Sequence, residues 1–299
     1  MFKSLIRTFA IVSAFIAGYM SPGLHEYSWG LKWMLITMLF VTFLGIRFKR
    51  MKLERFHWLL VGTNLLIAFI SWFMCLWVFG DGELSEAAFF VGITPTATAA
   101  PVVMGLLGGS VEFVLTALLV VNGVICALLP FILPIVVGKG GLEIYLDVAQ
   151  NISMVMVLPL VLAMVVRRFY PKAIMWPRNL KNATFGLWVA ALVLIAANAS
   201  HDISSSSGIS ECILEQIGII SLMICILNFW VGRMLGGRFR AAECSQALGQ
   251  KNTTLSIYLA LTYAGPIAAL GPTFYVLWHN LWNAWQLYRA SERARKKRE

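Results

Sequence analysis

The chain is 299 residues long, and 59% of its residues are hydrophobic while 13% are charged. Water-soluble domains are about one quarter charged, so this composition excludes an ordinary soluble protein. Apolar runs long enough to cross a hydrocarbon core of about 30 Å recur along the whole sequence, which predicts an integral membrane protein. The net charge of +10 is compatible with nucleic-acid binding, but the positions of the basic residues favour another explanation.

Ten apolar segments are long enough to form membrane-spanning helices. The first follows Lys3 and Arg7, as in a signal peptide, but no small-residue cleavage motif comes after it, and we interpret it as a retained helix. The predicted fold is therefore all-α, with ten transmembrane helices in a single domain, residues 1–299. The predicted spans are 8–20, 30–46, 56–79, 85–107, 111–137, 147–166, 183–199, 211–234, 240–264 and 271–289.

The basic residues test this topology independently. If the N-terminus is cytoplasmic and the spans alternate in direction, every Lys and Arg except Lys32, Lys139 and Lys251 falls on the cytoplasmic side. This distribution follows the positive-inside rule. We expect a multi-pass protein of the bacterial inner membrane with both termini in the cytoplasm. Its basic tail would contact anionic membrane lipid, and we expect no nucleic-acid partner.

The predicted spans divide into two halves, 1–138 and 139–299, with five spans in each. Because five is odd, the halves start on opposite faces of the membrane, and a repeat between them is inverted. Polar interruptions at 94–101 and 247–254 fall in the fourth span of each half. Each interruption begins roughly 15 Å into the membrane, near the midplane. We therefore expect helices 4 and 9 to be broken and to cross at the midplane, which is typical of a transporter's binding site.

The two interruptions supply most of the candidate substrate-binding residues. A proline in a span frees backbone carbonyls, which survive in a membrane only inside protein or beside a wet cavity. The N-terminal ends of half-helices suit an anionic substrate, and the carbonyl ends suit a cation. The alternative for the threonines is a hydrogen bond back to their own helix. The candidates are Thr94, Pro95, Thr96, Thr98, Pro101, Gly249, Gln250, Lys251, Asn252, Thr253 and Thr254.

Lys251 is the most informative of these residues. A lysine at the centre of a span costs about 2.5–3.5 kcal/mol on insertion scales, so we expect it to face a cavity or a partner rather than to snorkel. No acidic residue is predicted at its depth. We therefore predict that its ammonium lies at the carbonyl end of the half-helix that reaches Gly249.

His279 and Asn280 in the tenth span complete the candidate binding residues. The alternative for His279 is a packing role, as opposed to a proton relay. The five cysteines follow no metal-ligand spacing, and no nucleophile–base pair or phosphate-binding loop stands out. We therefore expect no enzymatic activity, no cofactor and no metal site.

The motifs resemble those of the bile acid:sodium symporter family, within the bile/arsenite/riboflavin transporter superfamily. Residues 247–253, Ala-Leu-Gly-Gln-Lys-Asn-Thr, are similar to the family's Glu-x-Gly-x-Gln-Asn-Ser crossover. Residues 95–101 are similar to its Pro-Gly-Gly-x-x-Ser-Asn crossover, and residues 269–280 to a last-helix pattern that ends in His-Asn. The resemblance implies ten helices in two inverted five-helix repeats and the transport of organic anions.

The sodium ligands that the resemblance implies are not present. The family's sodium-binding Glu falls on Ala247, its partner Gln on Lys251, and its Ser-Asn pair on Ala100 and Pro101. We expect a small organic anion to be transported by alternating access without sodium, with Lys251 replacing the cation, or with protons if this lysine titrates. The alternatives are a sodium-coupled symporter of bile-acid-like anions and a non-transporting membrane sensor or binding protein. The substrate, the direction of transport and the oligomeric state remain open.

Overall fold

The computed structural model describes residues 2–46, 51–205 and 211–296. All regular elements in these ranges are helices, and the β-type contact there is one isolated bridge between Thr96 and Lys251. Five of the helical segments are long and apolar enough to cross a membrane. These findings confirm the prediction of an all-α membrane protein.

Short turns join most of the α-helices, and a π-helical segment, Ser153–Val157, links α7 to α8. The helices are α1 (Phe2–Tyr19), α2 (Gly30–Leu44), α3 (Arg55–Phe79), α4 (Gly82–Ile93), α5 (Ala100–Leu106), α6 (Val111–Val136), α7 (Leu142–Ile152), α8 (Leu158–Phe169), α9 (Trp176–Asn179), α10 (Lys181–Ser205), α11 (Glu211–Gly249), α12 (Thr253–Tyr263) and α13 (Pro266–Lys296). Two 3₁₀ turns, Pro22–Tyr27 and Pro171–Met175, lie between them.

Each predicted span overlaps helical residues, but two details differ from the prediction. The sixth predicted span is not one regular helix, since it contains the π-helical segment between α7 and α8. The predicted gap between the eighth and ninth spans is a kink inside α11, where Gly237 and Arg240 have non-helical backbone angles. Gly237 has a φ of +54°, which glycine adopts without steric cost, so the chain can turn there.

Proline stereochemistry explains the first helix break. The ring of Pro95 disfavours helical angles in the residue before it, and Thr94 has an extended ψ of 123°. The chain becomes helical again at α5, where Pro101 lies in the first turn and the lack of a backbone N–H costs nothing. The second break lies between α11, which ends at Gly249, and α12, which begins at Thr253.

The helices pack as two groups. In the first group, α2 packs against α8 and α10, and α1 packs against α10. The π-helical segment that joins α7 to α8 also contacts α2, which places α7 in this group. In the second group, α3, α4, α5 and α6 pack with α11, α12 and α13, and α7 of the first group also packs against α6. Both helix breaks therefore lie in the second group.

Candidate functional site

The two helix breaks contact each other through their backbones. The N–H of Ala97 donates to the carbonyl of Gln250 at 2.8 Å, and the N–H of Asn252 donates to the carbonyl of Pro95 at 2.8 Å. These bonds form an antiparallel bridge between Thr96 and Lys251. Each break thus satisfies backbone groups that the other leaves unpaired, which is the condition for non-helical backbone inside a membrane protein. We call residues 94–99 and 250–252 the crossing.

The side chains on the second strand of the bridge differ in their contacts. The ammonium of Lys251 bonds residues of α3 and α4. The described structure shows no bond between this lysine and the side-chain amides of Gln250 and Asn252, which flank it in the sequence.

The ammonium of Lys251 lies at the carbonyl end of α4. Its Nζ donates to the carbonyl of Gly92 at 3.0 Å and to Oδ1 of Asn64 from α3, and the residue is only 1% exposed. Our prediction that it lies at the end of the half-helix reaching Gly249 is wrong. The lysine instead reaches the end of α4, in the segment that the bridge brings alongside, and the Gly249 carbonyl accepts from the Tyr275 hydroxyl at 2.8 Å.

Three residues that hold the crossing were not among the predicted candidates. Asn64 donates from Nδ2 to the carbonyl of Ile93 at 3.0 Å, in addition to accepting from Lys251. Asn122 of α6 donates to the carbonyl of Thr96 at 2.8 Å, and Tyr275 of α13 is the third. The available signal was an isolated asparagine in each of two apolar spans, because a buried amide needs partners.

The predicted threonines bind in different ways. Thr96 donates to the carbonyl of Ala247 at 2.7 Å and so joins the two broken helices. Thr94 contacts both the carbonyl of Phe90 in its own helix and the hydroxyl of Ser256 in α12, the latter at 2.6 Å. Thr98 is half-buried, and these other predicted residues of the crossing and its flanks are buried: Pro95, Pro101, Gly249, Gln250, Asn252, Thr253 and Thr254.

Two polar atoms of the crossing have no partner within the described structure. They are Oε1 of Gln250 and Nδ2 of Asn252, on side chains that are 4% and 9% exposed. Asn252 precedes α12, but its side chain makes no capping bond to that helix. A buried polar group without a partner costs about 1–3 kcal/mol. A polar ligand that paired with these two atoms would remove this cost, which makes them candidate ligand contacts.

Asn280 makes no hydrogen bond to the crossing in the described residues. Its Nδ2 donates to the carbonyl of Val276 in its own helix at 2.7 Å. His279 is buried, its ring packs edge-on against Tyr275, and its Nδ1 has no partner in the described residues. His279 is thus linked to the end of α11 at Gly249 through its contact with Tyr275.

Over the described residues, no group of three or more His, Cys, Asp and Glu side chains could hold a metal ion. Comparison with protein-family models and with curated proteins finds no match. The resemblance to bile acid:sodium symporters accordingly rests on the motifs at 95–101, 247–253 and 269–280.

An Asn122→Leu variant tests whether side-chain hydrogen bonds from neighbouring helices hold the crossing together. We expect its free energy of unfolding to fall by about 1–3 kcal/mol, because the buried carbonyl of Thr96 loses its donor. Thermal unfolding in detergent measures the effect. Thr116→Val is the matched control in the same helix, since the Thr116 hydroxyl donates only to the carbonyl of Glu112, one turn earlier. Equal stability of the two variants would show that Asn122 does not support the crossing.

Proposed function

We propose that this protein is a membrane transporter that moves a small organic anion by alternating access without coupling to sodium. The single observation that carries the proposal is the crossing of two interrupted helices, with the Lys251 ammonium on the carbonyl end of α4. A multi-pass protein needs no such costly arrangement for stability alone. Broken helices that meet inside a membrane protein are characteristic of transporter binding sites.

The arrangement of the helices supports a ten-span fold built from two inverted repeats. The breaks lie in the fourth predicted span of the first half, 1–138, and of the second half, 139–299. In each half, the first two predicted spans belong to the first helix group and the last three to the second group. An inverted repeat of five spans accounts for both the position of the breaks and the grouping of the spans. Together with the distribution of basic residues, this topology supports a protein of the bacterial inner membrane with both termini in the cytoplasm.

The position of Lys251 supports transport without sodium. The carbonyl end of a helix carries a partial negative charge that favours a cation. At the end of α4 this cation is the tethered ammonium, bonded to Gly92 and Asn64. The carboxylate that the symporter resemblance would require is replaced by Ala247. A sodium ion at this place would be repelled by the ammonium and would have one carboxylate ligand fewer.

The N-terminus of α12 and the unpaired amide atoms beside it support an anionic substrate. The N-terminus of α12 presents backbone N–H groups and the positive end of the helix dipole. The unpaired Nδ2 of Asn252 lies next to it and adds a second, independent donor. Oε1 of Gln250 can accept a hydrogen bond from a hydroxyl group of the same ligand. A small hydroxylated carboxylate matches this set of donors and acceptor.

Uptake of radiolabelled carboxylates by the purified protein in liposomes tests the proposal. We expect uptake in choline buffer that sodium does not increase. Binding without uptake would instead identify a sensor or binding protein. Uptake that requires a sodium gradient would identify a sodium-coupled symporter and would contradict the proposed role of Lys251.

An Asn252→Ala variant separates substrate binding from folding. We expect uptake to fall at least about tenfold, because hydrogen bonds to charged groups contribute about 1.5–3 kcal/mol. We expect the free energy of unfolding to change by less than about 0.5 kcal/mol, because Nδ2 has no protein partner to lose. Uptake and thermal unfolding are measured on the same preparation. Asn182→Ala, at an exposed position at the start of α10, is the control, and equal uptake by both variants would remove Asn252 from the site.

A further inference from the structure

Lys32 and Lys139 are the two loop-side exceptions to the positive-inside pattern, and the structure brings both to one cluster of polar residues. Lys32 lies near the start of α2, and Lys139 follows α6. With the predicted topology, both lie at the non-cytoplasmic end of the molecule. We define the outer cluster by the residues that these two lysines reach and their hydrogen-bonded neighbours: Lys32, Lys139, Asp147, Asn151, Tyr258 and Tyr263.

Asn151 of α7 is the centre of the outer cluster. Its Oδ1 accepts from Nζ of Lys32 at 2.8 Å and from the hydroxyl of Tyr258 at 3.1 Å. Its Nδ2 donates to the hydroxyl oxygen of Tyr263 at 2.9 Å. That hydroxyl in turn donates to Oδ2 of Asp147 at 2.8 Å. The side-chain amide of Asn151 therefore has partners on two other helices, α2 and α12, besides its bonds to Asp147 in its own helix.

The outer cluster joins the two helix groups. Lys32, Asp147 and Asn151 belong to α2 and α7 of the first group, whereas Tyr258 and Tyr263 belong to α12 of the second. Lys139, which follows α6 of the second group, bonds the same helix within that group, from its Nζ to the backbone carbonyl of Tyr263 at 2.6 Å. The side chain of Tyr263 is largely enclosed, at 4% exposure.

Helix α12 connects this cluster directly to the crossing. It begins at Thr253, next to Asn252, and ends at Tyr263. A helix of 11 residues is about 16 Å long. Because α12 is a single helix, a displacement of its outer end also moves its N-terminus, which lies next to Asn252 of the crossing. Nearby, Ile195 and Ala199 of α10 line a small apolar cavity together with Leu261, Ala269 and Thr273 of the second group. Polar and apolar contacts between the groups are thus found in the same region.

We propose that the outer cluster is a latch that closes the non-cytoplasmic path to the crossing and must open for the substrate to exchange with that side. This inference rests on the proposed transport function, because it assigns a closed outer gate to the alternating-access cycle.

The chemistry of the outer cluster suits a reversible contact. The bonds are numerous but partly exposed to solvent, since Asp147 is exposed and Asn151 and Lys32 are half-buried, so water can replace them when the groups separate.

A cysteine-accessibility experiment tests the latch without requiring a known substrate. The reporter is Ala99→Cys, because Ala99 is exposed at the crossing. Its background is Cys212→Ser, because Cys212 is the exposed native cysteine and the other four are buried. A membrane-impermeant maleimide is applied to right-side-out and inside-out vesicles. With the latch intact, we expect labelling from the cytoplasmic side to be much faster than labelling from outside.

Latch variants should change the outside rate. In Tyr263→Phe, we expect the rate of labelling from outside to rise about tenfold, because the hydroxyl that bonds both Asp147 and Asn151 is lost. Lys32→Met, on the other helix group, should act in the same direction and keeps the test valid if one variant does not fold. Thr37→Val is the matched control in α2, since the exposed Thr37 hydroxyl donates within its own helix to the carbonyl of Trp33 and touches no member of the outer cluster in the described residues.

The outcomes separate the latch from the proposed transport function. If outside labelling is the same in Tyr263→Phe, Lys32→Met and the Thr37→Val control, including the case of no labelling in any of them, the latch is overturned. If the intact protein is already labelled equally fast from both sides, the latch is also overturned. If the latch variants open the outer path but the wild-type protein transports no carboxylate in liposomes, the proposed substrate fails while the latch stands.

Discussion

Sodium ions are expected to stabilise a Lys251→Gln variant and to leave the wild-type protein unaffected. The substitution removes the ammonium and leaves an oxygen-rich site at the carbonyl end of α4, formed by Gly92 O, Asn64 Oδ1 and the new side-chain amide. Oxygen ligands and the negative end of the helix dipole both favour a small cation. At a sodium concentration 100 times the Kd, binding stabilises the folded state by about 2.7 kcal/mol. Thermal unfolding in sodium chloride against choline chloride measures this difference.

Lys251→Met is the control for this prediction. Methionine fills a similar volume but offers no oxygen ligand, so we expect no response to sodium. We also expect this variant to be less stable than the wild-type protein, because the carbonyl of Gly92 and the Asn64 amide lose their donor, at about 1–3 kcal/mol for each acceptor. If sodium stabilises both variants equally, or stabilises the wild-type protein, then Lys251 does not replace a cation.

A Gly92→Ala variant is expected to fold poorly or not at all. Helices α3 and α4 approach so closely that a Cβ added at Gly92 would lie 2.5 Å from Cα and 2.9 Å from N of Ala68. Both contacts are with backbone atoms, so a side-chain rotation cannot relieve them, and the helices must separate. Overpacking of this kind costs about 1–3 kcal/mol or more. Separation would also move the Gly92 carbonyl away from Lys251. The yield of monodisperse protein and its thermal unfolding provide the measurement.

Gly123→Ala in α6 is the matched glycine control. A Cβ at Gly123 meets no atom within 4 Å, and the residue is exposed. Alanine is more favourable than glycine in a helix interior by about 0.5–1 kcal/mol, so we expect this variant to be as stable as the wild-type protein or slightly more stable. Similar behaviour of the two alanine variants would show that the packing of α3 on α4 is looser than the structure indicates.

Local features were predictable because they act on neighbouring backbone. Apolar runs predict helices, since a chain in lipid must pair its own backbone groups. Pro95 predicts the end of α4, since its ring restricts the residue before it. The polar run that contains Lys251 indicates the second break. These interpretations use only residues within a few positions of one another, and the structure has helix ends at both places.

The partners of the site could not be predicted in the same way. Lys251 and Asn64 are separated by 187 positions, and Asn122 and Thr96 by 26. Charge and depth alone placed the Lys251 ammonium at the nearest helix end, near Gly249. The structure places it at the end of α4 instead, and that helix end comes alongside Lys251 only after two distant segments have met. Asn64 and Asn122 stand out in the sequence as single amides in apolar spans, but which backbone groups they bond depends on the packing of distant helices.

Hydrophobicity and proline stereochemistry are local properties, so residues close in the chain are enough to identify a helical membrane protein with interruptions near Pro95 and Lys251. The contact between the two interruptions, the position of the ammonium at the carbonyl end of α4, and the unpaired Oε1 of Gln250 and Nδ2 of Asn252 follow from the tertiary fold of the described residues. A buried polar group is stabilised by the partner it reaches, and that partner depends on how helices distant in the chain pack together.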